Sequence, residues 1–272
     1  MTGQTSLSLV ETSHGVIAVE DTHNPGTPVL LIHGNSSCRD VFQHQLDAPF
    51  ARRKRLVAID LPGHGDSDDA IDPARTYTRS GLADAVDELL GIMGMTDAVV
   101  VGWSLGGHVG IDLLVRSDRI KGLLITGTPP VRNGGMAEGF NTSPRFGLAA
   151  RAELSDEDVA DFARAMLGKP VPPFLPSAIR RTDRRFRRVL FEAARAGTGA
   201  DQRLAVERTR VPIAVVNGAA DPLLNLDYLE GVAYGNLWDG RCYRLPGAGH
   251  APFWQASVQF NTILERFLDD LT

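Results

Sequence analysis

The sequence predicts an α/β fold: a mostly parallel central sheet flanked by helices, with a helical insertion late in the chain. Three observations carry that expectation. Short apolar runs recur without polar alternation, each ending in glycine-rich punctuation, as strands buried on both faces of a parallel sheet do. Stretches with apolar residues at helical spacing lie between them, so strand and helix alternate. From about 128 to about 210 the helical patterns continue but no strand pattern does. The 272 residues suffice for one sizeable core, or a core with a small accessory domain.

In chain order, residues 6–11 and 16–21 flank Ser13-His14-Gly15 and read as a hairpin. Residues 29–32 run into His33-Gly34, 56–59 into Asp60-Leu61-Pro62-Gly63, and 98–101 into Gly102. Residues 122–125 run into Gly127, 213–216 into Asn217-Gly218, and 242–245 into Pro246-Gly247. Helical spacing links Leu82, Ala85, Val86, Leu89 and Leu90, then Val109, Leu113 and Leu114, and finally Phe260, Ile263, Leu264, Phe267 and Leu268. Ser155-Asp156-Glu157-Asp158 reads as a helix start, with Val159, Phe162, Ala163 and Met166 on one face. Lys169-Pro170-Val171-Pro172-Pro173 interrupts it. The expected division is a core of residues 1–127 and 211–272 and a helical cap of 128–210. Such a cap would cover the C-terminal edge of the sheet, where ligands bind in these folds.

Composition narrows the function. A formal net charge of −5 gives no reason to expect nucleic acid or an anionic membrane as a partner; the expected partner is a small-molecule substrate. Cys38 and Cys242 are the only cysteines. They are too few for a disulfide scaffold and suit a reducing cytoplasm. Residues 1–10 have neither a basic start nor a long apolar run, so no signal peptide is expected.

The chemistry centres on Gly102-Trp103-Ser104-Leu105-Gly106-Gly107. It follows a strand pattern and precedes a helical one, the setting of a G-x-S-x-G nucleophile elbow. At such a sharp turn side chains two residues either side of the serine would collide, so both positions need glycine. The helix that follows points its free N–H groups at the reacting centre. Ser104 is therefore the expected nucleophile.

A serine needs a base. Of seven histidines, His14 and His23 are expected to be exposed, His33 and His64 to brace loops, and His44 and His108 to sit on helices. His250, in Gly247-Ala248-Gly249-His250-Ala251-Pro252, directly follows the last strand. Asp221 follows the strand before it and would orient His250. Asp227 is the other acid considered, but it falls in a helical pattern. Two backbone N–H groups would form the oxyanion hole: that of Leu105, after the nucleophile, and that of Asn35, in the loop after the strand 29–32. The Asn35 side chain could also reach a substrate carbonyl.

Together these residues, with Asp60-Leu61-Pro62-Gly63-His64-Gly65-Asp66-Ser67, resemble the α/β-hydrolase superfamily along nearly the whole chain. A narrower resemblance is to the metal-independent N-acyl-homoserine lactonases of this fold, which destroy bacterial quorum signals. It is carried by Glu11-Thr12-Ser13-His14-Gly15, Leu31-Ile32-His33-Gly34-Asn35-Ser36-Ser37 and Ile125-Thr126-Gly127-Thr128-Pro129-Pro130. Pro212-Ile213-Ala214-Val215-Val216-Asn217-Gly218, Gly235-Asn236-Leu237-Trp238 and Gly249-His250-Ala251-Pro252-Phe253 also match. Two positions depart from that pattern: Asp221 stands where it has glutamate, and Phe162 where it has tyrosine.

The resemblance implies a serine hydrolase that opens an acyl lactone with a Ser104, His250 and Asp221 triad, without cofactor or metal. Trp103, Phe140, Phe162 and Met166 are candidates for an apolar substrate channel, against plain core packing as the other reading. The stretch Arg180-Arg181-Thr182-Asp183-Arg184-Arg185-Phe186-Arg187-Arg188 reads as a solvated helix face, with anion attraction as the alternative. Three other functions compete. A general carboxylesterase or a carbon–carbon bond hydrolase would use the same triad, and a hormone-type receptor can retain it. A metal-dependent lactonase is disfavoured, because the chain has no His-x-His-x-Asp-His cluster.

Overall fold

The computed structural model describes residues 5–141 and 147–271. Residues 1–4, in the segment read for a signal peptide, and 142–146, in the insertion, lie outside the described residues. Eight strands form one sheet: β1 (Ser6–Thr12), β2 (Gly15–Asp21), β3 (Pro28–Ile32), β4 (Arg55–Ile59), β5 (Ala98–Trp103), β6 (Ile120–Thr126), β7 (Ile213–Gly218) and β8 (Leu237–Leu245). Their order is β1-β2-β4-β3-β5-β6-β7-β8. β1 and β2 are an antiparallel hairpin, and β2 pairs antiparallel with β4. Every later pairing, from β3–β4 to β7–β8, is parallel.

β3, β5 and β7 are buried at every position. Alternate residues feed two cores. Leu30, Ile32, Val57, Val100 and Leu123 face the helices Arg79–Ile92 and Leu105–Leu113. Val29, Leu31, Leu56, Val101 and Val216 face the helix Ser257–Asp270. Fully burying one such side chain contributes about 1.5–3 kcal/mol, which is why these short runs carry no polar alternation. β8 starts five residues before the apolar pattern does. Its Asp239, Gly240 and Arg241 are exposed at the sheet edge, so half of it carries no hydrophobic signal.

Between β6 and β7 lie the helices Asp156–Leu167, Phe174–Arg181, Phe186–Arg195 and Gln202–Arg208. Among the described residues this stretch adds no strand to the sheet. Ser155 caps its helix as the sequence predicts: its Oγ accepts from Asp158 N–H at 3.1 Å, and Asp158 Oδ2 accepts from Ser155 N–H at 3.0 Å. The helix stops at Gly168, whose φ is +76°.

One anchor of the stretch to the core lies around Asp183. Asp183 N–H donates to Gly63 O at 2.9 Å, the Tyr77 hydroxyl donates to Asp183 Oδ2 at 2.5 Å, and Arg181 Nη2 donates to Ser67 O at 2.6 Å. The arginine-rich segment is therefore not one solvated face. Arg180, Arg181, Arg185 and Arg188 pair with carboxylates, whereas Arg187 is buried. A second correction concerns His14. It is buried, with Nδ1 bonded to Thr76 Oγ1 at 2.8 Å and Nε2 accepting from Arg75 Nη2 at 3.1 Å.

Candidate active site

Ser104 sits between β5 and the helix Leu105–Leu113 at φ 52° and ψ −113°. This strained region costs about 1–3 kcal/mol for a residue with a side chain. Four hydrogen bonds hold it there. Ser104 N–H donates to Thr126 O at 2.8 Å, Gly107 and His108 N–H donate to Ser104 O at 3.0 and 3.1 Å, and Thr128 Oγ1 donates to the same oxygen at 2.9 Å. The two motif glycines answer to close approach. A Cβ on Gly106 would run into the Ile32 carbonyl, and one on Gly102 into the backbone of Gly106.

His250 follows β8 and is buried. Its Nδ1–H donates to Asp221 Oδ2 at 2.8 Å. Asp221 Oδ1 accepts from Leu223 N–H at 2.8 Å, so both carboxylate oxygens are engaged. Trp103 Nε1–H donates to the His250 carbonyl at 2.9 Å, linking His250 to the turn at Ser104. Asp227 is exposed on the helix Leu226–Glu230 and pairs with Arg244, away from this arrangement. Ser104 and His250 line one cavity. Among the described residues no hydrogen bond joins their side chains, and such bonds commonly tighten only when substrate is bound.

The loop histidines have structural jobs. His33 Nδ1–H donates to Gly34 O at 2.7 Å while Nε2 accepts from Leu61 N–H at 3.0 Å. His64 Nδ1–H donates to Pro62 O at 3.1 Å while Nε2 accepts from Ser36 N–H at 3.1 Å. These partners assign both rings as neutral, and burial holds both pKa values below the usual histidine range.

Asn35 and Leu105 line a cavity with Ser104. Among the described residues the N–H groups of Asn35 and Leu105 have no hydrogen-bond partner. The Asn35 side chain is committed elsewhere. Its Nδ2 donates to Ala149 O at 3.0 Å, and its Oδ1 accepts from Ser36 Oγ at 2.8 Å. The backbone N–H, without a partner among the described residues, is left for a ligand, beside the second hydrogen of Nδ2.

Two cavities meet at Ser104. One, of about 470 Å³ counting space open to solvent, is lined by Trp103, Phe162, Met166, Leu223 and His250. The other, of about 740 Å³ counting space open to solvent, is lined by Arg79, Leu105, His108, Val131, Leu190 and Phe191. Phe140 lines both. The structure thus brings Trp103, Phe140, Phe162 and Met166 to the wall of a cavity that Ser104 also lines. The larger cavity was not read from the sequence. Its walls come from six separated segments of the chain, so no single motif marks it.

His108 at that wall donates Nδ1–H to Gln202 Oε1 at 2.6 Å. Burial, and then the charge of Arg79, lower its pKa to about 4. An unfolded histidine titrates near 6.5, so between those values the unfolded chain binds a proton that the folded chain rejects. Stability is full above pH 6.5 and falls as the pH drops towards 4. Melting temperatures measured across that window should decline, with a shallower slope in His108→Gln. An unchanged slope in that variant contradicts the assignment.

A model of the Alpha/beta hydrolase family matches residues 29–262. The structure is similar to that of the N-acyl homoserine lactonase AidH complexed with N-hexanoyl homoserine. That likeness has 45% identity and a TM-score of 0.97, covering 99% of this chain and 98% of that one. The AidH complex with N-butanoyl homoserine gives 45% identity and a TM-score of 0.96 over 98% and 97% of the two chains. A pimeloyl-[acyl-carrier protein] methyl ester esterase of Chromobacterium violaceum is 31% identical over 268 residues, which are 92% of this chain and 97% of that protein.

Proposed function

The chain belongs to the Alpha/beta hydrolase family, and from that premise we propose that it opens the lactone ring of N-acyl-homoserine lactones through an acyl-enzyme on Ser104. The observation that carries the chemistry is the 2.8 Å bond from His250 Nδ1 to Asp221 Oδ2. It leaves Nε2 to serve a serine held at a strained elbow in the same cavity. The substrate rests on the likeness to AidH.

In this mechanism His250 Nε2 takes the Ser104 proton as Oγ attacks the ring carbonyl. The carbonyl oxygen becomes an oxyanion, stabilised by the N–H groups of Asn35 and Leu105 in a dry, preorganised site. Collapse breaks the ring C–O bond, and His250 returns its proton to the leaving alkoxide. The resulting alcohol stays tethered to the acyl group, so ring closure competes with hydrolysis. Water deprotonated by His250 then attacks the ester, and Ser104 recovers its proton as the carboxylic acid leaves. Asp221 stabilises the imidazolium in both halves. The apolar walls of the two cavities suit an acyl chain, with Trp103, Phe140, Phe162 and Met166 as its contacts. The two free cysteines suit a reducing cytoplasm, and the helical segment 128–210 acts as a cap over the site.

The test is hydrolysis of a chain-length series of N-acyl-homoserine lactones beside simple aryl esters, with a chelator present. Higher kcat/KM on the lactones, insensitive to the chelator, is the expected result. Turnover of esters but not lactones would reassign the protein as a general esterase, and loss of activity with the chelator would contradict the metal-free mechanism.

A further inference from the structure

We propose that Arg187, a residue of the inserted helical segment, is a positioning residue for the oxyanion hole, acting through Ser36 on Asn35. The inference rests on the reading of Ser104 and Asn35 given above.

Arg187 is 4% exposed. Among the described residues it forms no ion pair, unlike Arg180, Arg181, Arg185 and Arg188 around it. Its neighbours are neutral oxygens: Nε donates to Ser36 Oγ at 2.8 Å, Nη2 to Ile179 O at 2.8 Å and Nη1 to Ala152 O at 3.5 Å. Burial alone lowers its pKa to about 10. A buried cation without a counter-charge is costly, so the fold must gain something where that cation points.

It points at the turn that carries the second oxyanion donor. Ser36 has φ +58°, a left-handed conformation that a residue with a side chain keeps only where its surroundings hold it. Two side chains hold Ser36. Arg187 donates to its Oγ, and His64 Nε2 accepts its N–H at 3.1 Å. With its lone pair occupied by Arg187, the Ser36 hydroxyl directs its own hydrogen to Asn35 Oδ1 at 2.8 Å. Asn35 Nδ2 donates in turn to Ala149 O, on the same inserted stretch as Ala152. The chain Arg187, Ser36, Asn35, Ala149 therefore clamps Asn35 on both sides. Among the described residues its peptide N–H has no partner, and Asn35 lines the same cavity as Ser104. A transition-state donor gains its effect from being fixed before the charge develops. Arg187 supplies that fixing from outside the sheet, and it links seating of the inserted segment to the strength of the oxyanion hole.

The test measures kcat and KM for p-nitrophenyl butyrate and for N-hexanoyl-homoserine lactone in wild type, Arg187→Met, Ser36→Ala and the double variant. Removing a single oxyanion donor costs about 10²–10³ in kcat. Misplacing one should cost roughly tenfold or more on both substrates, with KM changed less than about threefold. The double variant should be no slower than the slower single variant, because both cut one chain. Arg187→Lys should recover part of the loss by restoring a donor to Ser36. A purely structural arginine would lower the melting temperature of Arg187→Met and leave kcat alone. If Arg187→Met does not fold, Ser36→Ala still decides, since it cuts the same chain while keeping the arginine. Wild-type kcat in Ser36→Ala or in folded Arg187→Met, or losses that multiply in the double variant, would overturn the proposal. An inactive wild type, or a Ser104→Ala variant with full turnover, counts instead against the underlying reading of the site.

Discussion

Replacing Ser104 by alanine is expected to lower kcat for lactones and esters by about 10⁶-fold while leaving the fold intact. Among the described residues no hydrogen bond depends on the Ser104 hydroxyl, whereas Thr126, Gly107, His108 and Thr128 all hold its backbone. The elbow therefore keeps its shape without it. Alanine keeps the Cβ and with it the same backbone conformation, so the melting temperature should stay within a few degrees. Steady-state turnover and a thermal melt of the same preparation check both halves. Residual catalysis by the oxyanion hole alone should remain measurable above the rate in water.

Asp221→Asn is the second large effect, a loss in kcat of about 10⁴-fold. The argument is local. Asp221 accepts on both oxygens, from His250 Nδ1–H and from Leu223 N–H. Asparagine has one acceptor. If its oxygen faces His250, its NH₂ meets the Leu223 N–H, donor against donor in a buried site. If its oxygen faces Leu223, its NH₂ faces His250 Nδ1, which must then present its lone pair. The ring proton moves to Nε2, where it cannot accept from Ser104. Either way the base is lost, or a buried donor is left unpaired at a cost of about 1–3 kcal/mol. The pH profile of the variant, with activity recovering only in alkali, would separate a tautomer defect from misfolding.

The parts of this protein that could be read from its sequence are those where one local constraint admits one residue. Gly102 and Gly106 are forced by carbonyls that a Cβ would strike, so the elbow is written in five residues. β3, β5 and β7 are apolar throughout because both their faces are buried. Asp221 and His250 follow their strands in the order that the elbow leads one to expect. What stayed hidden depends on partners far along the chain. His14 sits in a hairpin that looks exposed, yet Thr76 and Arg75, some sixty residues on, cover it. The arginines of 180–188 are indistinguishable in sequence, and only packing turns Arg187 towards Ser36, 151 residues earlier. The larger cavity has no motif because Arg79, the helices Leu105–Leu113 and Phe186–Arg195 and the stretch 131–140 each give it only part of its wall. The first half of β8 was missed because a solvated edge needs no apolar residues.

The proposed mechanism requires a covalent bond to one oxygen, Ser104 Oγ. The decisive measurement is rapid acid quench of the enzyme during turnover of an acyl lactone, followed by mass analysis of the intact protein and its peptides. Because the leaving alcohol stays tethered, the adduct should weigh the whole substrate and sit on the peptide bearing Ser104. It should be absent from Ser104→Ala. Turnover at the full rate with no adduct at any quench time, or an adduct on another residue, would contradict Ser104 as the nucleophile.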